Sequence, residues 1–275
     1  MRGPADGGRR RRRHETGSGP RPCRRRAGRR GRGPGMSAPT VVCPPGDRAA
    51  LDAFDRALYR ASAGARSPLI LRDANGREHH ADAADWCAGH RPGDSGLLDR
   101  CTGATLDVGC GPGRLTEALL RRGRTALGID VSAAAVRLAQ ARGATALRRD
   151  VFRPLPGRGR WEHVLLADGN VGIGGDPVAL LRRCRELLTP DGRVHAELSP
   201  PGAGSWAGPA TLHTPDPGAA GPVPGGAGPG APLRWAQVAA DDLEALARSS
   251  ALDVIETWTE EGRWFGTLTA ARGAS

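Results

Sequence analysis

The sequence contains no lysine; all 40 of its basic side chains are arginine. It also has no run of about 18 apolar residues, the length a helix needs to cross a bilayer. Its Arg-rich start is not followed by the apolar stretch of a secretory signal. Among Cys23, Cys43, Cys87, Cys101, Cys110 and Cys184 there is no Cys-x-x-Cys pair, and no Cys/His cluster has metal-ligand spacing. These absences predict a soluble, cytoplasmic chain with no membrane partner, no metal site, and reduced thiols of mostly structural use.

An excess of positive charge is lacking over most of the length, where arginines and acidic side chains balance. Residues 1–35 hold thirteen arginines against Asp6 and Glu15, which accounts for the whole formal excess of +11. A basic body that coats a nucleic-acid duplex through phosphate contacts is therefore excluded as the default reading. Residues 1–46 are built from Arg, Gly and Pro. That composition buries too little apolar surface to offset the entropy of ordering, so the segment is expected to be disordered. It reads either as a basic tail attracted to RNA or a membrane surface, or as sequence upstream of a true start at Met36. The second reading is preferred, because without the tail the chain is charge-balanced.

What remains suffices for one sizeable α/β domain. Residues 47–100 read as an N-terminal cap. Leu51, Phe54, Leu58 and Tyr59 give an amphipathic helix of about three turns. Leu69 to Arg72 form a strand, and Asp73-Ala74-Asn75-Gly76 a tight turn. Residues 101–275 read as the main domain. Between Gly103 and Leu198 strand and helix alternate five times, with Ser132 and Asp176 as helix N-caps, Gly143 as a stop and Pro177 at a first helical position. Repeated β-α units with apolar strands predict a Rossmann-like, doubly wound, mostly parallel sheet. Residues 200–232, dense in Pro and Gly, read as a structureless insertion. Asp253 to Thr269 read as a closing antiparallel hairpin on the sheet edge.

The sharpest local signal is Leu106-Asp107-Val108-Gly109-Cys110-Gly111-Pro112-Gly113-Arg114. A strand ends, glycines let the backbone turn against a ligand, and a helix begins with its free N–H groups facing the crevice. The spacing is G-x-G-x-G, whereas a dinucleotide loop needs G-x-G-x-x-G. Gly128-Ile129-Asp130 ends the next strand, which places Asp130 to accept hydrogen bonds from ribose hydroxyls. Arg149-Asp150-Val151 ends the third, where Asp150 can accept from an exocyclic amine. Val131 and Val151 offer apolar faces to a flat base.

In this order the motifs, together with Leu-Thr-Pro-Asp-Gly at residues 188–192, resemble class I S-adenosylmethionine-dependent methyltransferases over roughly residues 100–199. The resemblance implies a seven-stranded sheet with one antiparallel strand. It also implies S-adenosyl-L-methionine as cofactor, with Asp107, Gly109, Cys110, Gly111 and Gly113 at its methionine end, Asp130 on the ribose, and Asp150 on the adenine amine. The fourth strand ends in Asp168-Gly169-Asn170, where the family's strand tip faces both the cofactor and the acceptor. This departs from the Asn-Pro-Pro-aromatic form of many methylases of exocyclic base amines. With the following Gly-x-Gly-Gly-Asp, it is similar to a small-molecule subgroup from high-GC bacteria.

Methyl transfer is an in-line displacement in which the protein chiefly aligns the reactants and excludes water. A hydroxyl acceptor needs a base within hydrogen-bond reach, and position makes Asp168 the first candidate. His195 reads as a satisfied core histidine, while His79, His80 and His213 lie on covering segments. The reading is a methyltransferase with a small-molecule acceptor. The alternatives are an RNA or protein methyltransferase guided by the basic tail, and a non-catalytic S-adenosylmethionine-binding protein.

Overall fold

Short buried strands set the architecture, and the computed structural model describes them within residues 45–215 and 230–271. The tail expected to be disordered, apart from its last two residues, and residues 216–229 of the insertion lie outside the described residues.

The central sheet is built from β3 (Thr105–Val108), β4 (Ala126–Asp130), β5 (Ala146–Arg148), β6 (Trp161–Leu166), β7 (Leu188–Leu198), β10 (Leu252–Glu260) and β11 (Arg263–Ala270). Their order is β10-β11-β7-β6-β3-β4-β5. Neighbours from β5 to β7 pair in parallel, and β11 pairs antiparallel with both β7 and β10. This is the expected seven-stranded sheet with one reversed strand. The pairing of β7 with β6 is interrupted between Leu188 and Arg193, where the Thr189-Pro190-Asp191-Gly192 turn stands.

Helices α4 (Arg114–Arg121), α5 (Ala133–Arg142) and α6 (Pro177–Leu187) are the crossovers. Their ends follow the local chemistry read from the sequence. Ser132 accepts from the Ala135 N–H and Asp176 from the Ala179 N–H, and Gly143 takes the left-handed conformation that closes α5. α7 (Leu243–Ser249) precedes the final hairpin. The main core packs Leu106, Val108, Ile129, Val164, Leu166 and Leu180 among the sheet and helices.

The N-terminal part is larger than its periodicity suggested. α1 runs over Pro45–Ser62, 18 residues. β1 (Pro68–Asp73) and β2 (Glu78–Asp82) form the expected hairpin around the Asp73 to Gly76 turn. α2 (Ala83–Cys87) and α3 (Asp94–Arg100) lead into β3.

The reading of residues 200–232 as structureless is corrected. Trp206–His213 form β8 and Ala231–Gln237 form β9. Both join the N-terminal hairpin in a second, antiparallel sheet of order β2-β1-β8-β9. Pro209 is tolerated within β8 because the pairing with β1 ends at Ala210, one residue before the ring would remove a ladder donor. Among the described residues no helix is long and apolar enough to cross a membrane.

Candidate active site

A cavity of about 720 Å³ opens where the carboxyl ends of β3 to β7 face the second sheet, within the size range of small-molecule sites. Asp107, Gly109, Cys110, Gly111, Asp130, Val131, Asp150, Val151, Asp168 and Asn170 all line it. Gly113 does not. It turns the chain at φ +82, and a Cβ there would lie 2.7 Å from the Ala139 Cβ, so its role is close packing of the loop on α5.

The loop after β3 is held from three sides. Asp107 is buried at the strand end and accepts from the Thr116 hydroxyl at 2.7 Å. Asp130 accepts from the Gly111 N–H at 3.0 Å and from the Ser132 N–H at 2.8 Å. Asn170 reaches across from beyond β6 and donates to the Val108 and Gly109 carbonyls at 3.0 and 2.9 Å. Burial pushes both Asp107 and Asp130 up to about 6, against the hydrogen bonds that favour their charged forms. The Cys110 thiol is also pushed well up by burial, so it is a packed group and not a ready nucleophile. At Gly111 a Cβ would meet nothing within 4 Å, so the loop presents bare backbone to open space. Asp150 accepts from the Phe152 N–H at 2.9 Å and stands at the tip of the third strand.

Asp168 is engaged more heavily than sequence position indicated. It takes a positive φ of 52°, and its oxygens accept from Arg91 at 2.5 Å, Arg114 at 2.6 Å and Arg263 at 3.4 Å. The same arginines are shared with Asp94 and Glu197. Arg114 also pairs with Asp94, while Arg263 pairs with Asp94 at 2.9 Å and Glu197 at 2.7 Å. Three guanidinium groups and three carboxylates thus knit the segment before α3, the start of α4, the β6 tip and β11. Sequence reasoning did not foresee Arg91, Arg114 or Arg263, because their partners are dispersed along the chain and no local spacing marks them.

The histidines divide as expected for core and cover. His195 contacts His163 Nδ1 at 3.0 Å and the Thr267 hydroxyl at 3.0 Å, and burial pushes it down to about 3. With Cys101 these two histidines form a buried group whose ligand atoms lie within 4.8 Å of one another, a convergence invisible as sequence spacing. The imidazoles are already hydrogen-bonded, and the group does not line the cavity. His79 and His80 line the cavity from β2, and His213 does not.

Residues 105–192 match the family of methyltransferase domains. The chain carries a methyltransferase domain of the class I, S-adenosylmethionine-dependent fold. Its fold is similar to a methyltransferase from Bacteroides fragilis solved with S-adenosyl-L-homocysteine. That match has 21% identity and a TM-score of 0.63 over 84% of this chain and 98% of that one. It is also similar to the Burkholderia thailandensis 1,6-didemethyltoxoflavin-N1-methyltransferase, at 18% identity and a TM-score of 0.51 over 86% and 94% of the two chains. The CcbJ methyltransferase from Streptomyces caelestis matches at 17% identity and 0.51, over 68% of this chain and 92% of that one. No curated protein matches. The family match stops before β8 and β9, so the domain's second sheet belongs to the part of the chain outside it.

Proposed function

We propose that this methyltransferase transfers the methyl group of S-adenosylmethionine to a small molecule held under the second sheet. The observation that carries the reading is the joint placement, around one cavity, of the bare glycine turn at Gly111 and the carboxylates of Asp130 and Asp150 at successive strand tips. The cavity fits the cofactor in chemistry. Each Asp130 oxygen has one backbone partner and keeps lone pairs for ribose hydroxyls. Asp150 stands where an adenine amine can donate, with Val131 and Val151 as apolar walls. Asp107, Gly109, Cys110 and Gly111 border the methionine end, with Gly113 setting the turn behind them.

Bound there, the cofactor supplies an electrophilic methyl carbon. An acceptor atom held in line with that carbon would receive the methyl group. The chain's contribution is alignment and exclusion of solvent. Asp168, with both oxygens committed to arginine donors, is assigned here as the anchor of the β6 tip and not as the proton acceptor.

A cavity roofed by a second sheet favours a small molecule over a folded RNA or protein. The similar Burkholderia enzyme, whose substrate is 1,6-didemethyltoxoflavin, supports the same class. The unpaired Cys87, Cys101, Cys110 and Cys184 suit a reducing, cytoplasmic setting. The test is equilibrium binding of S-adenosylhomocysteine to wild type and Asp130→Ala. Saturable binding lost in the variant supports the reading, and equal affinity contradicts it.

A further inference from the structure

The chain has only ten aromatic residues, six Trp, three Phe and one Tyr. Five of them, Phe54, Trp86, Phe152, Trp206 and Trp235, line the cavity described above. Phe152 follows Asp150 and Val151, and its ring packs over Gly174, at the end assigned above to the adenine. The others come from α1, α2, β8 and β9, outside the nucleotide-binding half of the fold.

Strand alternation shows what the second sheet presents. His80, Arg234, Ala236 and Val238 reach the cavity as well; Leu69 and Leu71 of β1, His79 and Ala81 of β2, Trp206 and Leu212 of β8, and Leu233, Trp235 and Gln237 of β9 fall on positions of one parity along each strand and line it. The registers put Leu71 between His79 and Leu212, and put Trp206 opposite Gln237. These residues therefore share one face. On that face the His79 ring stacks on Trp206 with centroids 5.4 Å apart, and Asp73, paired with Ala210, places a carboxylate oxygen 3.9 Å from His79 Nε2. Between Trp206 and Ala210 on β8 stands Gly208, paired with Trp235. It is buried, yet a Cβ at this position would meet no atom within 4 Å. Gly208 itself does not line the cavity, whereas the two indoles on either side of it do. Trp235 also packs on the turn after β6, where its Nε1 would lie 2.8 Å from a Cβ at Gly172, next to the strand tip that the methyl-transfer reading assigns to the acceptor.

We propose that this inner face is the acceptor platform, and that the acceptor is a planar aromatic or heteroaromatic small molecule lying against Trp206 and Trp235. The inference rests on the methyl-transfer reading for the word acceptor. The physical basis of the platform is stacking of a flat ring on the indoles. An aliphatic amine offers no flat ring to stack on the indoles.

The experiment is calorimetric titration of the full chain, saturated with S-adenosylhomocysteine, with planar probes (8-hydroxyquinoline, 7-hydroxycoumarin, lumazine) and with glucosamine as the aliphatic control. Saturable binding of a planar probe is expected. The same probe should weaken about tenfold, the equivalent of one stacking contact, in Trp235→Ala and Trp206→Ala, with recovery in Trp206→Phe. Affinity for S-adenosylhomocysteine in these variants should stay within about twofold of wild type, showing that they fold. Binding of glucosamine alone, of no planar probe, or equally to wild type and both alanine variants would overturn the platform. Failure of S-adenosylhomocysteine to bind would instead overturn the cofactor reading, and the platform would still be judged by the same titration on the free chain.

Discussion

Gly111 donates its backbone N–H to Asp130 across 3.0 Å, so the loop after β3 and the tip of β4 are one rigid unit. The bond fixes the carboxylate with its remaining lone pairs toward the cavity, and it fixes the glycine turn with no side chain between it and the open space. Both halves were visible in the sequence as Gly-Cys-Gly-Pro-Gly and Gly-Ile-Asp; their direct bond was not.

Burial raises the Asp130 carboxyl to about 6. Its charged form, the better acceptor for ribose hydroxyls, is populated above that value and lost below it. Affinity for S-adenosylhomocysteine is therefore expected to rise as pH increases from 5 to 7.5 and to level off above. Asp130→Asn should bind more weakly at pH 7.5 and lose most of this slope. Calorimetry at four pH values checks it, and a slope that persists unchanged in the variant assigns the titration elsewhere.

Gly113 sits at φ +82 with the Ala139 Cβ 2.7 Å from where its own would be. Gly113→Ala combines a left-handed backbone with a clash, at a cost of about 2–4 kcal/mol. Thermal unfolding should show a clearly lower Tm for the variant. Gly123→Ala, at φ +72 with open space around it, should cost only the backbone part. Equal losses at the two positions would mean that the packing on α5 contributes nothing.

Asp168 is held by Arg91, Arg114 and Arg263. As an anchor, Asp168→Asn should weaken ion pairs to the almost fully buried Arg114 and lower stability by about 1–3 kcal/mol. The pH–rate profile of any turnover should keep its shape. A variant with wild-type Tm, sharply reduced kcat and a missing limb in the pH profile would restore Asp168 as the proton acceptor.

Among the described residues Thr116 supplies the one side-chain hydrogen bond of Asp107, at 2.7 Å in a buried site. Thr116→Val leaves that carboxylate oxygen without its donor and should cost about 1–3 kcal/mol. Denaturant unfolding checks the value. No loss would show that Asp107 is satisfied from the cavity side.

The parallel half of the fold was legible because its information is local. β3, β4 and β6 are short apolar runs, and their helices start and stop at Ser132, Gly143, Asp176 and Pro177, whose preferences act within a few residues. The second sheet was not legible for the opposite reason. It joins residues 68–82 to residues 206–237, and β8 reads as loop because Gly208 and Pro209 interrupt its alternation. Both residues fit only because β1 stops short of Pro209 and the space beside Gly208 is open. The strand-tip carboxylates were likewise legible by position, whereas the arginines around Asp168 come from residues 91, 114 and 263 and announce themselves in no motif.

The most direct test of the central claim is calorimetric titration of the purified chain with S-adenosylhomocysteine and, separately, with NADH. The account predicts one saturable site for S-adenosylhomocysteine and no heat with NADH. No heat with S-adenosylhomocysteine, or saturable heat with NADH alone, would contradict it.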